Sequence, residues 1–368
     1  MKVIIAGGGI VGLTTGIAFR AIGWEVLVCE QAPEIRAAGA AIGLWRNALD
    51  VFAEFGVGDA IHAIGTPVET WFYDGRGERF RAPGFDQADH AFVLVPRPEL
   101  NRQLAAAVGA ENIRLDTRIR SFEEEADHIT VCFDDGTTER ADLLVGADGV
   151  YSAVRAQLVP GHAAQEHQGH HVWRGMLASG DEPPQGSILT VGNQRTRGGY
   201  ARTYGNQVVW MVNQFDSPLP TGSNKEEALL RAAHLNENGW NDPLLRLIER
   251  TPETQILHNQ IMFVPSLPRW TSARVALIGD AAHGLSPHIS AGGTLGVEDV
   301  RVLVQAVLRY DELAAALPAY EANRMPHYAR VHELAAAVEW AGNAREYARE
   351  YATFSHWMLN EGYRASRA

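Results

Sequence analysis

Cysteine and long apolar runs are both scarce in this sequence of 368 residues. The two cysteines, Cys29 and Cys132, lie far apart and have no CxxC spacing, which excludes a disulfide framework and a redox-active cysteine pair. No apolar run approaches the roughly 18 residues that cross a bilayer, and the apolar N-terminus leads directly into glycines without the features of a signal peptide. We therefore expect a cytoplasmic protein with no membrane insertion and no export.

Lysine is almost absent, since Lys2 and Lys225 are the only two. The net charge is −12 and no block of basic residues occurs, so a polyanion such as DNA would meet repulsion and nucleic acid is not an expected partner. The use of arginine for nearly all positive charge fits either a GC-rich genome or a need to grip phosphates. With 46% hydrophobic and 21% charged residues, the chain has the balance of a globular enzyme.

The first thirty residues have the pattern of a βαβ unit. An apolar run at 3–6, a helical pattern at 10–21 and a second strand-like run at 25–30 follow one another. This order predicts a doubly wound α/β fold with a parallel sheet. Residues 113–144 predict an antiparallel meander, residues 165–265 a mostly antiparallel sheet, and the chain after residue 278 a helical C-terminus.

The simplest domain organisation is a Rossmann-like nucleotide domain that a β-rich substrate domain interrupts. The nucleotide domain is predicted to take residues 1–70, 97–164 and 267–368, the last including the C-terminal helices. The substrate domain is predicted to take residues 165–266 and a hairpin contribution from 71–96.

The first motif is Gly7-x-Gly9-x-x-Gly12, directly after the first strand and at the start of a helix. Glycines at this spacing permit a tight turn, close approach of backbone amides to a pyrophosphate and close packing of helix on strand. Glu30 ends the second strand, where a carboxylate would hold a ribose hydroxyl. Together they predict dinucleotide binding but do not distinguish NAD from FAD.

Two further strands end in acidic turns. The run 143–145 leads into Gly146-Ala147-Asp148-Gly149, with Arg155 close behind, although Asp-Gly alone is typical of a simple turn. The run 275–278 leads into Gly279 and Asp280, then to Pro287 and the pair Gly292-Gly293, where a helix begins near Thr294. Since strands of a parallel sheet present ligands at their carboxyl edge, both acids are expected at the same edge.

The three motifs together resemble the group A FAD-dependent aromatic hydroxylases, the para-hydroxybenzoate hydroxylase type of flavoprotein monooxygenase. The resemblance extends over most of the nucleotide domain and includes the Gly39–Ala48 stretch and the C-terminal Tyr320-Glu321-x-x-Arg324. It implies FAD as cofactor and the following cofactor-binding residues: Gly7, Gly9, Gly12, Glu30, Arg97, Asp148, Arg155, Asp280, Pro287, Gly292, Gly293 and Thr294.

The sequence departs from the family in the loop after the third motif. The family pattern is Gly-Gln-Gly-x-Asn, but here Ser290, Ala291 and Thr294 replace the Gly, Gln and Asn. Because backbone amides do most of the binding there, FAD binding is expected to persist, while flavin mobility and substrate shape are less predictable. Arg46 also stands where the family commonly has proline.

The reaction that the resemblance implies needs NAD(P)H and O2 as co-substrates. NAD(P)H reduces the flavin, O2 forms a C4a-hydroperoxide and one oxygen atom passes to a small aromatic or electron-rich substrate. A single Gly-x-Gly-x-x-Gly unit favours this plan over a glutathione-reductase-like one, which needs a second Rossmann unit. A monomer or a homodimer fits the sequence equally.

Candidate substrate-site residues come from the β-rich domain and the third motif. Alternation places Tyr200, Arg202 and Tyr204 on one strand face, which is either a clamp for a planar ring or a solvated face. His288, beside Pro287, either touches substrate or stabilises its loop. Trp210 and Val212 are predicted to lie in the core.

Other notable side chains have structural interpretations. His283 is expected to order the turn after Asp280. His170 and His171 point to opposite strand faces and make a poor metal pair, so no metal site is predicted. Tyr347, Tyr351 and Phe354 form a helical stripe that is typical of a docking surface.

Two alternative functions stay open. One is another flavin redox enzyme on the same scaffold, such as an epoxidase, a Baeyer–Villiger oxygenase or a dehydrogenase. The other is a flavoprotein that carries a ligand without catalysis.

Overall fold

The computed structural model describes residues 1–35, 40–85, 91–186 and 188–365. Its strands are β1 (Lys2–Ala6), β2 (Glu25–Cys29), β3 (Ala41–Leu44), β4 (Thr66–Glu69), β5 (Phe72–Asp74), β6 (Arg79–Phe80), β7 (Ala91–Pro96), β8 (Ile113–Arg114), β9 (Ile119–Glu124), β10 (Ile129–Phe133), β11 (Thr138–Ala141), β12 (Leu143–Gly146), β13 (Gln165–Ala178), β14 (Leu189–Val191), β15 (Thr196–Thr203), β16 (Gln207–Gln214), β17 (Leu257–Phe263) and β18 (Val275–Leu277). Its helices are α1 (Ile10–Ala21), α2 (Arg46–Glu54), α3 (Gly58–Ala63), α4 (Arg97–Val108), α5 (Ala153–Leu158), α6 (Asn224–Ala232), α7 (Asp242–Arg250), α8 (Asp280–His283), α9 (Gly292–Arg309), α10 (Leu313–Trp340), α11 (Ala344–Trp357) and α12 (Tyr363–Ala365).

A parallel sheet in the order β18-β12-β1-β2-β8 forms the centre of the nucleotide domain. Its inner strands are continuous runs of buried apolar residues, as expected for a sheet that is covered on both faces. Helices α1 and α9 pack against each other beside it. The prediction of an α/β fold with a parallel sheet is confirmed.

Two small antiparallel sheets flank this centre. Strands β9, β10 and β11 form the meander that the sequence predicts for residues 113–144. Strands β3, β7 and β4 form the second small sheet, with β7 in the middle. This second sheet lies between the nucleotide domain and the substrate domain, where apolar side chains of β7 contact those of β15 and β16.

The region predicted to be the substrate domain contains a sheet in the order β17-β13-β16-β15-β14-β5-β6. Strands β5 and β6 come from the 71–96 segment, whose residues 86–90 lie outside the described residues. Residues 91–96 of the same segment form β7, which pairs with β3 and β4 and not with the large sheet. Helices α6 and α7 cover one face of the large sheet through a buried apolar cluster that includes Trp173 and Trp210.

Buried charges connect the central sheet to the C-terminal helices. Asp299 on α9 is fully buried and accepts hydrogen bonds from the Gly279 amide at 2.8 Å, His283 Nε2 at 2.5 Å and Arg324 Nε at 2.7 Å. Burial by itself raises the pKa of Asp299, but His283, Arg324 and the Gly279 amide together lower it to about 2. The carboxylate therefore fixes the turn after β18 against α9 and α10, and His283 orders that turn as predicted.

None of the described helices combines the length and the apolar composition that crossing a membrane requires.

Asp299→Asn should lower the free energy of unfolding by about 3–5 kcal/mol, because it leaves buried cations without their counter-charge. Since the pKa of Asp299 lies below its unfolded value, the difference from wild type should be constant above about pH 4 and shrink as the pH falls toward 2. Urea denaturation at a series of pH values measures it. Glu99→Gln, which removes an exposed ion pair with Arg102, is the control and should cost at most about 1 kcal/mol. Equal losses in the two variants would contradict the assignment.

Candidate functional site

The three motifs converge at one edge of the parallel sheet. Gly7 follows β1, Glu30 follows β2, and the turns at Asp148 and Asp280 follow β12 and β18. These strands are parallel neighbours, so their carboxyl ends lie side by side. The convergence that the sequence predicts is therefore present.

The glycine loop after β1 has the shape that an anionic ligand needs. Gly7 has φ of 100°, and a Cβ on Gly12 would lie 1.9 Å from the Gly7 carbonyl oxygen, so both positions require glycine. A Cβ on Gly9 would meet no atom within 4 Å, which leaves open space above the first turn of α1. Among the described residues, no side chain caps this helix, so its amides and its dipole are available to a phosphate.

Glu30 lies beside this loop. Its Oε2 accepts from the Gly8 amide at 2.7 Å, and its Oε1 accepts from the Ala32 amide at 2.8 Å. Two backbone amides thus hold the carboxylate at the end of β2, in the position from which a ribose hydroxyl would be bound.

Asp148 and Arg155 have partners within the protein. The Asp148 carboxylate accepts from Ser152 Oγ at 2.5 Å and the Ala153 amide at 2.7 Å, so it stabilises the start of α5. Arg155 donates to the carbonyl oxygens of Val150 and Ala281 at 2.6 and 3.0 Å. The structure therefore places both as supports of the second turn, which differs from the direct cofactor contact that the resemblance implies.

The third motif forms the opposite side of the edge. Gly292 and Gly293 open α9, and Asp280 Oδ1 would lie 3.8 Å from a Cβ on Gly292. Asp280 also acts electrostatically on Arg97, where it opposes the burial that lowers the pKa of that guanidinium. These groups surround the space that a flavin would take.

Two departures from the family have visible consequences in this loop. Ser290 adopts φ of 53°, a left-handed conformation that favours the glycine of the family pattern. The Trp45 indole donates to the Ser290 carbonyl oxygen at 3.0 Å and holds the loop in place. Thr294 Oγ1 accepts from the Trp45 amide at 3.1 Å and is fully buried, so its side chain supports the loop rather than facing a ligand.

A cavity of about 540 Å³ connects this edge to the substrate sheet. The predicted site residues that line it are Gly9, Arg97, Asp280, Pro287, His288, Gly292 and Gly293. Part of the remaining wall is apolar, with Phe92 and Leu94 from β7 and Val209 and Met211 from β16. Polar side chains also line it, among them Arg174, Asn259 and Gln260.

Four residues form a polar patch in the cavity wall: Arg197, Asn213, His288 and Tyr347. Arg197 and Asn213 are directly opposite each other on β15 and β16, and the Tyr347 hydroxyl donates to the His288 carbonyl oxygen at 3.1 Å. Sequence reasoning missed Arg197 and Asn213, since alternation alone does not show which face of their strands lines a cavity. It assigned Tyr347, Tyr351 and Phe354 to a docking surface. All three are instead buried, and Tyr351 and Phe354 pack on Trp45.

The predicted substrate clamp lies on the other face of the sheet. Tyr200 is 3% exposed and packs with Trp210 and Val212 beneath α6 and α7. Trp210 and Val212 therefore lie in the core, as predicted. Arg202 donates to the carbonyl oxygens of Gly180 and Glu182, and Tyr204 is 46% exposed. The clamp prediction is corrected, because apolar side chains of α6 and α7 cover the face that it used.

His170 and His171, which the sequence analysis judged a poor metal pair, each have a partner close by. His170 Nε2 lies 3.3 Å from Asn213 Oδ1, and His171 Nδ1 lies 3.2 Å from His258 Nε2. The two histidines therefore do point to opposite faces of β13.

Taken together, these features define a dinucleotide-binding α/β protein with an apolar chamber next to the cofactor edge. Residues 1–335 match the family model described as FAD binding domain. A FAD-dependent urate hydroxylase of Klebsiella pneumoniae is 32% identical over 88% of this chain and 86% of its own length. The Aurachin C monooxygenase/isomerase of Stigmatella aurantiaca is 31% identical over 88% and 85%.

The fold agrees with these relatives. The structure of Klebsiella pneumoniae HpxO complexed with FAD and uric acid superposes with a TM-score of 0.83 at 26% identity, covering 100% of this chain and 97% of that one. The chain belongs to the FAD binding domain family, among the FAD-dependent aromatic hydroxylases that its motifs resemble. The predicted family is confirmed.

Substitutions of Gly9 and Gly12, the last two glycines of the first motif, should have different effects on stability and on FAD binding. Gly12→Ala should lower the stability of the FAD-free protein by about 1–3 kcal/mol, because the new methyl group overlaps the Gly7 carbonyl. Gly9→Ala should change that stability by less than about 0.5 kcal/mol yet weaken FAD binding about tenfold or more, because its methyl group occupies the ligand's space. Thermal unfolding without FAD and titration with FAD measure both. Unchanged FAD affinity in Gly9→Ala would refute the phosphate position.

Proposed function

We propose that the protein is an NAD(P)H-dependent flavin monooxygenase that inserts one atom of O2 into a small aromatic or otherwise electron-rich substrate. The observation that carries the proposal is the continuous cavity between the cofactor edge and an apolar chamber. NAD(P)H, one proton, O2 and a substrate C–H would give NAD(P)+, water and the hydroxylated product.

The residues at the sheet edge fit FAD. The open space above Gly9, the carboxylate of Glu30 and the uncapped α1 N-terminus suit the ADP half. Arg97 and Asp280 suit the middle of the molecule, and the first-turn amides of α9 suit the flavin ring edge. When bound, reduced FAD supplies the activation of O2 and the transfer of one oxygen atom.

The chamber wall would orient the substrate and exclude water. Phe92, Leu94 and Val209 are buried and belong to one apolar cluster between β7 and the substrate sheet. An apolar wall of this kind suits a planar ring, and exclusion of water limits side reactions of the reduced cofactor with O2. The polar patch supplies the directional contacts that would fix which ring carbon faces the flavin.

No side chain of the polar patch is poised as a general base. Both ring nitrogens of His288 are engaged, with Ser286 Oγ at 2.7 Å and the Ala335 carbonyl oxygen at 3.1 Å. Burial lowers the pKa of His288 to about 4, so the ring is neutral near pH 7. This supports the loop-stabilising role for His288 and a substrate whose ring is electron-rich before any proton is removed.

The relatives support this class of reaction. Besides the urate hydroxylase, they include a 6-hydroxynicotinate 3-monooxygenase of Bordetella bronchiseptica, and all these names describe oxygenation of small ring compounds. The substrates of those proteins differ, so the substrate of this chain does not follow from them.

Oxygen labelling tests the proposal. Phenols, N-heteroaromatics and polyketide-like rings are screened for stimulated NAD(P)H oxidation, and each hit is repeated under ¹⁸O2 with mass spectrometry of the product. One ¹⁸O atom on a ring carbon is the expected result. A ring-expanded lactone would indicate a Baeyer–Villiger oxygenase, an epoxide an epoxidase, and an unlabelled product a dehydrogenase. A ligand that binds but stimulates no oxidation would indicate a carrier protein.

Asp280→Ala should weaken FAD retention about tenfold or more, since it removes a carboxylate that lines the cofactor space. Flavin absorbance per protein after gel filtration and FAD titration of the stripped protein measure the effect. Asp311→Ala, at an exposed position after α9, is the matched control and should retain full flavin. Full flavin content in Asp280→Ala would count against the placement of FAD.

A further inference from the structure

A hydrogen-bonded chain behind the cavity wall joins two residues of the polar patch. Asn213 Oδ1 lies 3.3 Å from His170 Nε2, His170 Nδ1 contacts Ser286 Oγ at 3.1 Å, and Ser286 Oγ contacts His288 Nδ1 at 2.7 Å. All four side chains are buried, and both ends of the chain line the cavity. The direction of each bond therefore affects what the cavity offers to a ligand.

A backbone carbonyl fixes the direction at the His288 end. His288 Nε2 lies 3.1 Å from the Ala335 carbonyl oxygen, which can only accept, so Nε2 carries the proton. Because burial lowers the pKa of His288 to about 4, the ring is neutral and its Nδ1 is an acceptor. The Ser286 hydroxyl must then donate its one proton to His288.

The same logic continues to Asn213. With its proton committed, Ser286 Oγ accepts from His170 Nδ1–H. Burial also lowers the pKa of His170 to about 2, so the ring is neutral and its Nε2 has no proton. An unprotonated Nε2 cannot donate to the Asn213 Oδ1 that lies beside it, so the proton pattern requires the amide turned by 180°. Its amino group then donates to His170 Nε2. The amide oxygen then faces the cavity.

The remaining groups of the polar patch are committed to the backbone. The terminal nitrogens of Arg197 donate to the carbonyl oxygens of Val338, Glu339 and Ala341 at the end of α10. The Tyr347 hydroxyl donates to the His288 carbonyl oxygen. Within this patch, the Asn213 amide oxygen is thus the side-chain group best placed to meet a ligand.

We propose that Asn213 is a specificity-determining residue that selects, through its amide oxygen, an aromatic substrate bearing an N–H or O–H donor. This inference rests on the proposed function, because it describes the substrate of the same cavity. A ring whose corresponding atom is an ether oxygen or an N-methyl group would leave the buried amide oxygen without a partner, a loss of about 1–3 kcal/mol. Discrimination of about tenfold or more in affinity is therefore expected.

Matched probe pairs test the proposal on the FAD-loaded protein by isothermal titration calorimetry, without turnover. The pairs are indole with benzofuran and 2-quinolone with N-methyl-2-quinolone, in which only the first member donates. Wild type should bind the donor member of a pair about tenfold more tightly or better. Asn213→Leu should reduce the ratio to about twofold or less.

Ser286→Ala tests the chain itself, because it leaves the Asn213 side chain in place and removes the group that sets the His170 proton. The ratio should fall there as well. Asn193→Leu, at an exposed turn before β15, is the control and should keep the wild-type ratio. Thermal unfolding of each variant verifies the fold.

Three outcomes would each overturn the proposal. The first is equal affinity of wild type for both members of each pair, and the second is a wild-type affinity ratio in Asn213→Leu or in Ser286→Ala. The third is no binding of any probe at millimolar concentration. Failure of the proposed function is separate from these outcomes. Clear discrimination between probes without ¹⁸O incorporation would refute the monooxygenase and leave the donor preference standing. Incorporation of ¹⁸O without discrimination between the probes would support the monooxygenase and refute the donor preference.

Discussion

The structure depends on one constraint: neighbouring parallel strands bring their carboxyl ends to the same sheet edge. Strands β12, β1 and β2 are adjacent, and β18 adds to β12. Turns that are far apart in the chain therefore meet around one ligand space. The buried Asp299 carboxylate holds the last of these turns by binding the Gly279 amide, so the cofactor edge is coupled to the C-terminal helices.

The second feature of the site is that its conspicuous polar side chains are engaged within the protein. Asp148 stabilises a helix start, Arg155 binds backbone carbonyls, and His288 uses both ring nitrogens. A site of this kind positions and shields its ligands, and it leaves the reactive chemistry to the cofactor.

The substrate domain marks the limit of reasoning from alternation. A strand pattern separates residues into two faces but does not say which face meets the ligand. Tyr200 and Arg202 have the more suggestive chemistry, yet their face is covered by α6 and α7. Arg197 and Asn213 occupy the other face, which β7 covers only in part, so the cavity lies there.

The sequence by itself determined the cofactor class and the fold of the nucleotide domain. Each βα turn is local: Gly7, Gly9, Gly12 and Glu30 lie within one short unit whose geometry has few alternatives. Only the tertiary structure decided the substrate chamber, because its wall combines β7, β15, β16 and α11 from distant parts of the chain. The tertiary structure also decided the roles of Asp148, Arg155 and Thr294. A polar side chain can bind either a group of the protein or a ligand, and the positions of the neighbouring groups decide which of the two it binds.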